Sequence, residues 1–267
     1  MKFVAKSMLI LFLLAVAIGA VAYNVMSANV KQSGTINLAP QNLARETRVV
    51  NDDIELVEMN GPFDMAITRA DHAGLIIEGE ERLLPKVVLQ QDGKVLRIST
   101  TGMLVTMNQT VRLTLSLPKL TSLTQSGSGD VEVQRFAGSD IRFIMNGSGN
   151  LTFTGQFQHL IAQANGSGNI ELDVADANQV EINSAGSGDV TVTGKTKLLN
   201  ALLTGSGDID AQRLISQQSE VISHGSGSLK LYANKEVNVI ANGSGDVQIF
   251  GNPAKKTITN SGTGSVD

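Results

Sequence analysis

The chain reads as an all-β protein, a single-stranded parallel β-helix with right-handed crossovers and about eight coils, and three observations predict it. A Gly-Ser-Gly signature, Gly-Thr-Gly in its last copy, returns eight times, opening at Gly127, Gly147, Gly166, Gly186, Gly205, Gly225, Gly243 and Gly262 and closing at Gly129, Gly149, Gly168, Gly188, Gly207, Gly227, Gly245 and Gly264. Its interval is 18–20 residues, the mark of a solenoid whose unit can bury its apolar side only by stacking on its neighbours. Strict alternation follows each copy, as in Val131-Glu132-Val133, Ile170-Glu171-Leu172 and Val190-Thr191-Val192, and a period of two means strand. Finally, no long helical pattern interrupts the repeat, and the 267 residues hold only five prolines.

The first element stands apart. In residues 1–25, Lys2 and Lys6 precede an apolar run from Met8 to Ala22, and Ala20-Val21-Ala22 fits a small-residue cleavage site. That is the layout of a secretory signal peptide. A retained anchor is the other reading, because the run sits at the short limit for spanning a bilayer. Both readings send the remainder outside the cytoplasm. Residues 26–44 are polar and hold Ser33-Gly34 and Pro40, as a linker does.

Residues 45–120 alternate without the glycine signature. Strands are expected over 54–59, 63–69, 75–79, 87–91, 95–100 and 111–117, with Asp92-Gly93 as a hairpin turn between two of them. This segment is expected to begin or cap the solenoid, since a bare coil end exposes unpaired backbone.

Residues 121–267 are the repeats. Each carries one alternating strand after its signature and another before it, as in Ile141–Met145, Leu160–Ala164 and Val237–Ala241, with a variable third stretch closing the circuit. The first and third members after each signature form inward apolar columns. Glu132, Thr152, Glu171, Thr191, Asp210, Lys230 and Gln248 form an outward polar one. Glycine is expected at the bend because it reaches positive φ and carries no Cβ to strike the next coil. With strands about 4.8 Å apart, eight coils make a rod on the order of 35–40 Å long.

Composition limits the chemistry. The chain has no cysteine and no tryptophan, so disulfides, thiolate metal sites, a cysteine nucleophile and a lipidated cysteine are excluded. Without residues 1–22, which hold two lysines and no acid, the net charge is −6. A modest acidic balance without a basic run argues against nucleic acid and against an anionic membrane surface as partners.

The residue after each signature is Asp130, Asn150, Asn169, Asp189, Asp208, Ser228, Asp246 and Ser265. Stacked acidic side chains suit calcium. Asp and Asn equally bond nearby backbone and satisfy a corner with no ion, and this turn role is the expectation. His72, His159 and His224 lie far apart, and metal sites need converging ligands. The acids are spread one per coil with no insertion to wall a cleft, so no catalytic, cofactor-binding or metal-binding residue is expected. Thr152–Thr154 and Thr191–Thr193 are too isolated to form a flat threonine array, and the Asn-x-Ser sequons follow from the turn chemistry.

Glu78-Gly79-Glu80-Glu81-Arg82-Leu83-Leu84-Pro85, Gly93–Ile98, and Leu117-Pro118-Lys119-Leu120 leading to Ser126–Val131 together resemble the bacterial head GIN domain family of adhesin heads over residues 45–265. The resemblance implies a β-helical, extracytoplasmic domain, and it carries no catalytic motif. No run of translocator-barrel strands precedes Asp267, so self-export across an outer membrane is not expected.

The functional expectation is a non-enzymatic binding or structural module of the cell envelope with a glycan or envelope protein as partner. A polysaccharide-active enzyme and a periplasmic assembly component acting through the solenoid end are the alternatives. A homodimer through the ends follows if the column ending at Ile249 and Val266 stays uncovered.

Overall fold

The computed structural model describes residues 42–102 and 111–267; the N-terminal segment over 1–25 and the linker stretch before residue 42 lie outside the described residues. The unit Asn42–Asp267 is all-β, with parallel stacked coils forming a solenoid of about seven turns. Among the described residues no helix is long and apolar enough to cross a membrane.

The repeat region is a ladder of long parallel strands: β9 (Val131–Met145), β10 (Leu151–Ala164), β11 (Ile170–Ser184), β12 (Val190–Leu203), β13 (Ile209–Ser223) and β14 (Leu229–Ala241). Two strands were expected in each repeat, with a variable third stretch, a loop or a short third strand, closing the circuit. Instead each coil is one pairing run of 13–15 residues. That third stretch keeps ladder pairs with at least one neighbouring coil, and the chain turns at register shifts, with Arg135 (φ 67°) and Ala175 (φ 48°) in the left-handed region at two of them. A bulge places one extra residue off the ladder and bends the strand, which makes a corner without ending pairing. Only the final coil is split, into β15 (Val247–Phe250) and β16 (Lys255–Asn260). The eighth signature is followed by a single bridge, Val266 to Val247, rather than by a coil.

The inward columns hold the core. Val131, Leu151, Ile170, Val190, Ile209, Leu229 and Val247 stack as one buried column, with Val133, Phe153, Leu172, Val192, Ala211 and Leu231 beside it. Phe143, Phe153 and Phe157 interlock at centroid distances of 4.9 and 6.0 Å. Each medium-sized side chain taken wholly out of water contributes roughly 1.5–3 kcal/mol, so continuous columns bind every coil to both neighbours.

The N-terminal strands are β1 (Leu43–Arg48), β2 (Leu56–Met59), β3 (Phe63–Arg69), β4 (Gly74–Glu80), β5 (Val87–Asp92), β6 (Val95–Thr100), β7 (Val111–Leu117) and β8 (Ser122–Gln125). Strand β1 begins at Leu43, inside the stretch read as linker, because Leu43–Arg48 pair antiparallel with β4. Chain order and stacking order differ. The coil made by β2 and β3 lies between β6–β7 on one side and β8–β9 on the other, so the strands formed later enclose the earlier ones.

Antiparallel β1, β4 and β5 finish that end, with Leu83 and Leu84 buried beneath them. The Arg48 guanidinium ties the rim together, donating to the carbonyls of Leu84 (2.9 Å) and Val87 and to the Glu46 carboxylate (3.0 Å).

Candidate functional site: an axial groove beside the glycine corner

The corner is built on close approach, not on unusual backbone. None of the sixteen signature glycines is among the positive-φ residues. Each lies instead over a carbonyl of the coil below: a Cβ at Gly166 would sit 1.8 Å from the Gly147 oxygen, and one at Gly168 would sit 1.9 Å from that of Gly149. Across all sixteen the distance runs from 1.7 to 2.1 Å, well inside contact for any carbon. Serine amides continue the ladder through the bend, as where Ser167 N donates to Gly147 O at 3.1 Å. Of the two reasons expected for glycine, the absent Cβ is the operative one.

The residue after each signature links coils. Its side-chain oxygen accepts the backbone N–H of the equivalent residue one coil on: Asp130 to Asn150 (2.9 Å), Asn150 to Asn169 (2.9 Å), Asn169 to Asp189 (2.9 Å), Asp189 to Asp208 (2.8 Å), Asp208 to Ser228 (2.7 Å) and Asp246 to Ser265 (2.7 Å). No such bond joins Ser228 to Asp246, since a serine oxygen sits one bond closer to its own backbone and falls short. The local turn expected for these residues is thus a ladder between coils. Replacing Asn169 by alanine leaves the Asp189 N–H to water, and a loss of about 0.5–1.5 kcal/mol is expected, read from denaturant midpoints with an unchanged slope.

The Asp246 rung of the ladder responds to pH. Bonds from the Ser265 N–H and hydroxyl hold the Asp246 carboxyl below its ordinary value. A depressed folded-state value stabilises above the unfolded-state value, near 3.8, and is lost as pH falls through the folded one. Thermal melts from pH 5 down to pH 2 should therefore fall less steeply for Asp246→Asn than for the parent.

The same column continues into the N-terminal strands, where no signature announced it. Asp64 on β3 accepts the Asp130 N–H (3.1 Å). Register then runs from Asp64 to Arg112 on β7, to Glu78 on β4 and to Arg45 on β1, with Arg45 and Glu78 ion-paired at 3.6 Å. Gly61-Pro62-Phe63-Asp64 occupies the corner that Gly127-Ser128-Gly129-Asp130 occupies next, and Gly127 lies over the Gly61 carbonyl. A glycine three residues before an aspartate was the available signal.

This column and the outward column two residues on border a shallow groove along the stack. Its central part, about 690 Å³, runs from Arg112 and Asp64 past Asp130, Glu132, Asn150, Thr152 and Asn169 to Glu171. A second part of about 600 Å³ shares Asp64 and Arg112 and reaches Arg45, Glu78 and β1. A third, about 190 Å³, lies between the same columns at Asp189, Thr191, Asp208, Asp210, Ser228 and Lys230. Carboxylates, amides and hydroxyls alternate there with a few cations.

The histidines stay apart, each with a polar neighbour: His72 with Asp52 (3.1 Å), His159 with Asp140 (3.1 Å) and His224 with Asn242 (3.3 Å). Among the described residues no group of three or more His, Cys, Asp or Glu is placed to hold a metal ion.

Residues 53–253 match the family model described as "Putative auto-transporter adhesin, head GIN domain". Among solved structures, the "putative adhesin" of Parabacteroides distasonis superposes with a TM-score of 0.78 at 21% identity, over 85% of this chain and 98% of that one. The "putative adhesin" of Parabacteroides merdae gives 0.76 at 16% identity, over 85% and 96%. A "putative lipid binding protein" of Parabacteroides distasonis gives 0.71 at 22% identity, over 85% and 97%. At these identities the likeness is one of fold. No curated protein matches the chain.

Proposed function

We propose that this chain, which belongs to the head GIN domain family, is an extracytoplasmic, non-enzymatic binding module of the cell envelope whose ligand is a glycan. The observation that carries the reading is the axial groove. Its lining of carboxylate and amide oxygens, hydroxyls and guanidinium matches what sugar hydroxyls need, namely charge-assisted acceptors and fixed donors at close intervals. The N-terminal layout of basic residues before an apolar run supports export.

The non-enzymatic part of the reading is supported by the family, described as an adhesin head, and by the spread of the groove's acids. Asp64, Asp130, Glu132 and Glu171 are distributed along the stack, where glycoside cleavage needs two carboxyls flanking one bond.

Screening the full chain against envelope glycans and peptidoglycan fragments tests the proposal. Binding to a glycan that Arg112→Glu weakens at least tenfold is the expected result. Polysaccharide turnover, or no binding to any glycan, would overturn it.

A further inference from the structure

The direction of the groove, rather than its volume, carries a step further, and that step rests on the glycan reading. Its three parts follow one pair of side-chain columns along the stack. Each strand supplies one residue from each column, so the pattern repeats about every 4.8 Å along the solenoid axis. Asp130 and Glu132 are succeeded by Asn150 and Thr152, then Asn169 and Glu171, each pair in register with the last. A ligand that meets this surface equally well at every coil is itself a repeating chain, laid parallel to the axis.

We propose that the groove takes a linear glycan along the solenoid axis, about one sugar per coil, and that it prefers chains without acidic groups. A pyranose ring advances a straight chain by close to the spacing of adjacent coils, so successive sugars face successive coils. The charge preference follows from the lining. In the central part Asp64, Asp130, Glu132 and Glu171 face one cation, Arg112. Carboxylates accept bonds from neutral hydroxyls and repel a uronate at the same site. The Oδ1 atoms of Asp130, Asn150 and Asn169 already accept inter-coil N–H groups. Contact with the sugar therefore falls to their second oxygens or amides and to Glu132, Thr152 and Glu171.

The proposal is tested by calorimetry of the full chain with β-1,4-linked glucose oligomers of two to eight units. A matched series of uronic-acid oligomers is the comparison. Each added neutral sugar should tighten binding roughly two- to tenfold, the factor that one net hydrogen bond supplies, until the central groove is filled. The acidic series should bind more weakly at every length. Thr152→Tyr, an outward strand position that tolerates an aromatic residue, should reduce the longest oligomer to the affinity of a short one. Binding that ignores length, or an acidic series that binds better, would overturn this inference and leave the glycan reading standing. Failure of every envelope glycan in the wider screen would remove both.

Discussion

Gly166→Ala is expected to destabilise the domain by about 3 kcal/mol, the upper end of what an overfilled site costs. The new methyl would lie 1.8 Å from the Gly147 carbonyl oxygen and 2.8 Å from its carbon. That neighbour is backbone, held by Ser167 N–H on one side and by its own coil on the other, so no rotamer change relieves the clash. The coils must separate locally, and the serine and Asx ladders on both sides of the corner part with them. Gly74→Ala is the control. A Cβ there meets nothing within 4 Å, and a change within about ±0.5 kcal/mol is expected. Paired denaturant titrations check both; equal midpoints would mean that the corner does not depend on the missing Cβ.

Leu172→Asp is expected to have the largest effect and to unfold the chain or leave it barely folded. Leu172 is buried between Phe153 and Val192 on the adjoining coils. An unpaired carboxylate there loses its hydration for nothing, at several kcal/mol, and the two neighbouring coils lose their contact as well. Glu171→Ala, one residue earlier on the exposed face, should melt within a few degrees of the parent. Equal melting temperatures for the two variants would contradict the inward and outward assignment.

These faces were legible in the sequence because two simple signals coincide: a period of two fixes which side chains share a face, and a recurring glycine pair fixes where the face restarts. Val131, Leu151 and Ile170 on the inside and Glu132, Thr152 and Glu171 on the outside follow from nothing else. Most N-terminal strands were also legible, since Phe63–Arg69 and Val111–Leu117 alternate cleanly. Their order in the stack was not. Seating β2 and β3 between β6–β7 and β8–β9 depends on pairing between segments far apart in the chain, and alternation says nothing about partners.

The groove shared that difficulty. Its repeat columns could be written down from spacing, but Asp64, Arg112, Glu78 and Arg45 join them only through the register of β3, β7, β4 and β1. The role of the Asx residues was half visible. Their preference for bonding backbone is general, whereas the choice of an N–H one coil away is set by the stacking distance.

The most direct test of the account is a crystal structure of the full chain with a neutral glycan found to bind, soaked at saturating concentration. Continuous sugar density is predicted in the groove between the Asp130–Asn150–Asn169 column and the Glu132–Thr152–Glu171 column, running along the stack with one ring per coil. Sugar bound on another face, sugar lying along a single strand across the axis, or an empty groove would contradict it.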